Sequence, residues 1–469
     1  MTLSYTWGDK NTVIKTTDDL LSSRRAGIPW SDLPVTLRDV IELTRSLGIN
    51  YIWIDSLCII QDQSSKVTDF SLEGPFMEEI YSNSIFTIAA SVGSNTHVRC
   101  FPERIPELLK PAQFDAPNIA RGSFYIIDQT LWEASVSGAP LNSRGWVLQE
   151  RLLSPRTIHL CPEQVFWECS ELAACEALPL GLPTKIMEKR GGLTQIPQNG
   201  FKGFINECST PTPASSPRSS QNSHLAYERW CQIVETFSMC KFYDPSDKIV
   251  AITGVAKKMN KVFDDKFLAG LWKKRFFEGL AWEVHSGPEV TIRGKKPVHL
   301  GHPGQPYYCG PSWSWVSVDG HVKYDLRSSE MIWTSCVNFE SCIIEPKDEQ
   351  FATPEKEGTV LWLQGPLQSI EIYLDNGSAR PHIGNWFIWE EIFLDSTTIQ
   401  DHVNDNLFVA PILVGTPRNS SKNKHHIGLV LRYLQGSYQR IGLLHAWKDT
   451  TAMKAAALLR NRSVSYNII

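Results

Sequence analysis

Tyr51-Ile52-Trp53-Ile54-Asp55-Ser56-Leu57-Cys58 decides how the N-terminal part of the chain reads. Four consecutive bulky, β-favouring side chains make a compact strand, and Asp55 ends it. Upstream, Leu3-Ser4-Tyr5-Thr6-Trp7 is another short strand, stopped by Gly8-Asp9. Between the two, Leu37, Val40, Ile41 and Leu47 recur at helical spacing, with Thr36 as the expected cap of a helix from Leu37 and Gly48 as its stop. Downstream, residues 76–81 read as a second helix and Ile85-Phe86-Thr87-Ile88-Ala89 as a third strand. Strands separated by helices of this length predict an α/β fold with a parallel sheet and right-handed crossovers.

Ligands of such sheets bind outside the carboxyl ends of the strands. Here those ends carry Trp7, Gly8, Asp9, Asp55 and Ser91. The two aspartates and nearby hydroxyls suit a polar crevice. They equally suit turn and helix capping, which spacing alone favours. A third dense segment, residues 142–156, holds a short helix that Ser154-Pro155 ends, followed by strands at 157–160 and 164–169. Arg144, Glu150, Arg151 and Arg156 crowd beside Trp146 and Trp167. Arginine forks hold carboxylates or phosphates, so the cluster is either an internal ion-pair network, the favoured reading, or an anion site.

The whole chain has 469 residues, 42% apolar and 20% charged, which is material for packed cores. With 46 basic and 50 acidic residues the net charge is −4, and no cationic run supports nucleic-acid binding. No apolar stretch approaches the roughly 18 residues a bilayer span requires. The N-terminus lacks a signal-peptide pattern, and the 11 scattered cysteines form no C-x-x-C pair. These features predict a cytoplasmic protein with reduced thiols, in which the sequons at Asn376, Asn419 and Asn461 are chance. The 16 tryptophans are the unusual count, because each brings a large ring and an N–H that needs a partner.

Other chemistries find little support. His299 and His302 lie beside Gly301 and Pro303, which argue against a helical metal site, and His425-His426 reads as solvated in a basic loop (residues 419–426). No metal site, P-loop or G-x-S-x-G elbow is expected. Cys58 reads as a small buried thiol unless a histidine approaches it. Residues 209–220 are a low-complexity loop, residues 227–239 and 247–259 are helical, and the chain turns strand-rich from about residue 287, where residues 360–363 and 427–431 are strand candidates. The expected divisions are 1–175, then a linker and helical region at 176–286, then a β-rich region at 287–469.

The ordered set of Leu3-Ser4-Tyr5-Thr6-Trp7-Gly8-Asp9, Tyr51-Ile52-Trp53-Ile54-Asp55-Ser56-Leu57-Cys58 and Arg144-Gly145-Trp146-Val147-Leu148-Gln149-Glu150-Arg151 resembles the fungal heterokaryon-incompatibility (HET) domain family. Asp247-Lys248-Ile249-Val250-Ala251-Ile252 and Pro311-Ser312-Trp313-Ser314-Trp315 are similar to the region that often follows that domain. The resemblance implies a role in allorecognition, promoting programmed cell death after incompatible fusion, with other incompatibility proteins or further copies of the chain as partners. Some family members would instead be scaffolds in unrelated metabolic or regulatory work. The family has been likened to the TIR domain, whose flavodoxin-like enzymes cleave NAD, so NAD would be a substrate and no cofactor is required. On that likeness Glu73, in Asp69-Phe70-Ser71-Leu72-Glu73, is the first catalytic candidate, with Asp55 and Asp9 in support. Tyr5, Trp7, Gly8, Asp9, Arg144 and Trp146 would bind the ligand. Phe70 stands where the family usually has tryptophan, and Gly74-Pro75 is expected to delay the helix to about Pro75, leaving Glu73 on its approach. The chain starts almost inside the first motif, which implies a shortened N-terminus.

Overall fold

A computed structural model describes residues 1–9, 12–61, 68–109, 111–115, 123–183, 202–204, 218–285, 298–299, 309–327, 331–344, 351–352, 359–375, 378–383, 386–387, 391–395, 405–418, 424–447 and 463–469. Two compact units share the chain. The first comprises Met1–Ser223, Cys240–Phe242 and Val250–Val262, and the second His224–Met239, Tyr243–Ile249 and Phe263–Ile469. The three sequons, His302 and residues 209–217 lie outside the described residues.

The first unit is built on one sheet. Its strands β1 (Thr2–Ser4), β2 (Thr87–Ala90), β3 (Arg156–Leu160), β4 (Val165–Cys169) and β5 (Ala173–Cys175) are neighbours in that order. The first three run parallel. The last two fold back antiparallel, so the sheet is mixed rather than wholly parallel. The cause is the connection: residues 161–164 are too few for a crossover and close a hairpin instead. Residues 51–54 flank β1 on its other side through a single parallel bridge, Thr2 to Trp53. The Leu3 N–H reaches the Trp53 carbonyl at 3.0 Å, and the Trp53 N–H reaches the Met1 carbonyl at 2.9 Å.

Helices of this unit include α1 (Leu21–Ala26), α2 (Val35–Ser46), α3 (Asp55–Cys58), α4 (Asp69–Glu73), α5 (Met77–Ser82) and α6 (Gly145–Leu153). Two begin earlier than the sequence suggests. Pro34, not Thr36, precedes α2, because proline fixes a compatible φ; Thr36 is buried and its hydroxyl donates to the Val98 carbonyl at 2.6 Å. Likewise α4 begins at Asp69 under a capping box made by Thr68 and Ser71. Pro75 falls in the first turn of a separate 3-10 segment, Gly74–Phe76, where its missing N–H costs nothing. Glu73 therefore closes α4 instead of approaching a later helix.

Alternation along the strands gives the sheet two unlike faces. Leu3, Tyr5, Ile88, Ala90 and Leu160 pack with Leu37 and Val40 of α2 in an apolar core. The opposite face carries Thr2, Ser4, Thr87, Thr157 and His159, all buried. Helix α6 covers it with Gln149, Glu150 and Arg151, also buried. Such a layer is tolerated only when its groups are paired. Thr87 links Thr2 at 2.6 Å to Ser154 at 2.5 Å. Arg151 clasps Glu168 with Nε at 2.8 Å and Nη2 at 3.0 Å, and His159 Nε2 lies 3.1 Å from the same carboxylate. Lys202 Nζ donates to the Ser154 carbonyl at 2.6 Å and to Thr157 Oγ1 at 2.7 Å.

The second unit contains a large sheet. Among the described residues, β6 (Asn338–Ile343), β7 (Val360–Gly365), β8 (Gln368–Asp375), β9 (Leu407–Pro417), β10 (His425–Leu434), β11 (Ser437–Trp447) and β12 (Val464–Ile468) lie in the order β6-β7-β12-β11-β10-β9-β8. The tryptophans here are structural. The Trp282 N–H donates to the Trp313 carbonyl at 3.0 Å, and the Trp315 N–H to the Gly270 carbonyl at 2.9 Å. The Arg440 guanidinium lies 3.4 Å over the Trp282 ring and bonds Asp395 at 3.0 Å, both ions fully buried. His425, expected in a solvated loop, is instead buried at the start of β10. It lies 2.9 Å from His445 and under Trp333, because the strand begins at that residue.

Candidate functional site

Past Ser4 the chain leaves β1 at its carboxyl end, beside residues 51–54 on one side and β2 on the other. Tyr5 turns back into the apolar core, where its hydroxyl meets Ser56 Oγ at 2.6 Å. Trp7 reaches across to Asp55, and its indole N–H lies 3.1 and 3.0 Å from the two carboxylate oxygens. Asp55 opens α3, and the Ser56 N–H also donates to it at 2.7 Å. Gly8 has φ +78, and a Cβ there would sit 2.7 Å from that of Asn95. Glycine is required on both counts, and it brings the exposed Gly8-Asp9 turn onto the loop after β2.

Arg144, which precedes α6, donates from Nη1 to the Tyr5 carbonyl. Its backbone is pinned by a parallel bridge to Lys241, with the Gly145 N–H 3.0 Å from the Lys241 carbonyl. Gly145 is needed here because a Cβ would stand 1.8 Å from the Phe242 ring. Gly145→Ala is therefore expected to destabilise the first unit by about 1–3 kcal/mol through overpacking. Urea unfolding of the purified chain checks this, and an unchanged midpoint would refute the close approach.

In the second turn of α6, Glu150 accepts from Ser4 Oγ. The Tyr81 hydroxyl, 3.2 Å from the Leu3 carbonyl, also bonds this carboxylate. Burial pushes Glu150 up to about 7 against the pull of Arg144, with Asp55 adding to the rise. Burial also raises the Asp55 carboxyl, although Arg144 and bonds from Ser56, Trp7 and Tyr5 oppose it. The tyrosines Tyr5 and Tyr81 are held well above their usual value, burial again leading.

Tyr5, Trp7, Asp55 and Arg144 thus come together, with Gly8 and Asp9 at the rim. Trp146 lies edge-on to Phe70 of α4 at 5.4 Å. The hydrogen bonds on Asp55 come from Trp7, Ser56 and Tyr5, not from the segment of Glu73, which is half-buried at the end of α4. Ser4, Tyr81 and Glu150 join the cluster without having been singled out as site residues. Their signal was the polar triplet Gln149-Glu150-Arg151 inside an otherwise apolar helix. Arg151 serves the buried network, as the ion-pair reading anticipated. Cys58, expected to be buried, is exposed at the end of α3. Among the described residues no group of three or more His, Cys, Asp and Glu side chains is placed to hold a metal ion, and no helix is long and apolar enough to cross a membrane.

The segments that build this cluster, from β1 to Glu150, are those matched by one family model, described as Heterokaryon incompatibility protein (HET), over residues 1–150. The chain carries a heterokaryon incompatibility (HET) domain. No curated protein and no solved structure matches the chain. Trp7, Asp55, Arg144 and Glu150 all lie within the matched HET segment, and β3, β4 and β5 complete its sheet beyond it.

Proposed function

We propose that this HET protein is a cytoplasmic effector of fungal non-self recognition that promotes incompatibility-associated cell death, acting through the crevice around Asp55. The observation that carries this reading is the Trp7 indole spanning both Asp55 oxygens at the carboxyl end of β1. A half-buried carboxylate with its affinity for protons raised is costly to the fold, and such groups concentrate at functional sites.

A second reading, hydrolysis of NAD, draws on the strand order. Residues 51–54, β1, β2 and β3 follow the 2-1-3-4 arrangement of flavodoxin-like sheets, whose ligands sit at the switch point between the first and third strands in chain order, here β1 and β2. This supports a TIR-like fold for the domain. A carboxylate there would stabilise the positive ribose as the bond to nicotinamide breaks and water completes the reaction. Asp55 has the oriented geometry for that role, and Glu73 remains the candidate that the TIR likeness suggests. Other incompatibility proteins or a second copy of the chain are the proposed partners.

Inducible expression in a fungal host, with growth and cellular NAD followed together, tests both readings. Growth arrest is the expected result. A fall in NAD that precedes arrest, and that Glu73→Gln or Asp55→Asn abolishes at equal protein level, would support hydrolysis and name its carboxylate. Arrest at constant NAD would sink the hydrolase and keep the effector. Normal growth with abundant folded protein would count against the effector.

A further inference from the structure

The cluster contains two carboxylates, Asp55 and Glu150, facing one guanidinium, Arg144. The groups that act on Glu150 are Ser4 of β1, Tyr5 just past it, Asp55 of α3, Tyr81 of α5 and Arg144 at the head of its own helix. The helix Asp247–Phe263 packs nearby, with Gly254 against Gln149, and its Lys257 and Lys258 face Glu78. The tyrosines stay neutral, and the next residue, Arg151, is committed to Glu168. With both acids ionised, Asp55, Glu150 and Arg144 together carry one net negative charge. Removed from water, such a charge is relieved by a proton or by a cation. Asp55 is half-buried, whereas Glu150 is only 3% exposed. Beside Asp55 the half-buried Trp7 indole offers a surface suited to a cationic ring. At the same strand ends the Thr6 hydroxyl is buried without a hydrogen-bond partner.

We propose that the crevice selects a positively charged ring, such as an N-substituted pyridinium, over its neutral counterpart, and that Glu150 is a positioning residue that releases a proton when the cation docks against Asp55. This rests on the reading of the crevice as the functional site. It adds the charge class of the ligand and the group that adjusts to it. Glu150 exchanges a proton with solvent, and the arriving cation takes over the neutralisation.

Calorimetry of the purified full chain with 1-methylnicotinamide and with nicotinamide, in buffers of different ionisation enthalpy, tests it. The cation is expected to bind at least tenfold more tightly at pH 7. It should release up to about half a proton, because Glu150 lies near about 7 and is half-protonated there. The sign follows: lowering the pH from 8 to 6 protonates Glu150 and weakens cation binding, while nicotinamide binding stays level. Glu150→Gln should abolish the proton release. Should that variant not fold, Ser4→Ala serves, because losing the Ser4 donor raises the Glu150 carboxyl and increases the release at pH 7. Equal affinity for the two compounds, no binding of the cation, or proton release unchanged by both variants would overturn the proposal. Loss of added NAD, followed in the same preparations, separates the two claims. NAD cleavage without charge selectivity overturns this inference alone, and charge selectivity without NAD cleavage overturns the hydrolase alone.

Discussion

Arg151→Leu is expected to cost about 3–5 kcal/mol, the largest stability loss of any single substitution argued for the first unit. Arg151 meets Glu168 through two hydrogen bonds on a face sealed by α6, and Glu168 is only 5% exposed. Burial alone would raise the Glu168 carboxyl. The charges of Arg151 and Lys202 and the bond from His159 hold it well below the usual carboxylate range. A carboxylate shifted downward stabilises the fold above its unfolded pKa, and that contribution is lost only as pH falls through the folded value. At neutral pH the pair is therefore fully in force. Removing the arginine takes away both of its hydrogen bonds and leaves the buried carboxylate with His159 and Lys202 alone, two groups that burial, aided by Arg151, depresses to about 4 and about 7 in the parent. Urea unfolding should register the loss, and adding Glu168→Gln to Arg151→Leu should recover part of it. A single variant within about 1 kcal/mol of the parent would contradict the account of this layer.

Asp55→Asn has the largest expected effect on function, complete loss of growth arrest, at little cost to the fold. Burial raises this carboxyl, so its negative charge works against folding above the folded pKa, and the neutral amide removes that penalty. The amide keeps one oxygen to accept from Trp7 or Ser56 and loses the other, a cost of about 1–2 kcal/mol that the removed charge offsets. Stability and function should therefore separate at this position.

Much of the first unit was legible because its apolar residues follow one face of each element. Leu37 and Val40 on α2, with Leu3 and Ile88 in the strands, announce the core they form. The other face was not legible. Nothing local tells that α6 covers the threonines and serines at alternate strand positions. Ser4 meets Glu150, 146 positions along the chain. The same distance hid Glu150 as a site residue, although the charged cluster containing it was visible. Asp55 and Trp7 were visible as strand-end residues, but their mutual bond needed residues 51–54 to lie beside β1, which spacing does not specify. His425 misled because a polar stretch precedes it, while the strand it opens is anchored by Trp333 and His445 from distant sequence.

The most direct measurement compares growth of a fungal host after induction of the parent chain and of Asp55→Asn at matched, folded protein levels. Arrest with the parent and normal growth with the variant are expected. An Asp55→Asn chain as toxic as the parent would contradict it, because the crevice would then play no part in what the protein does.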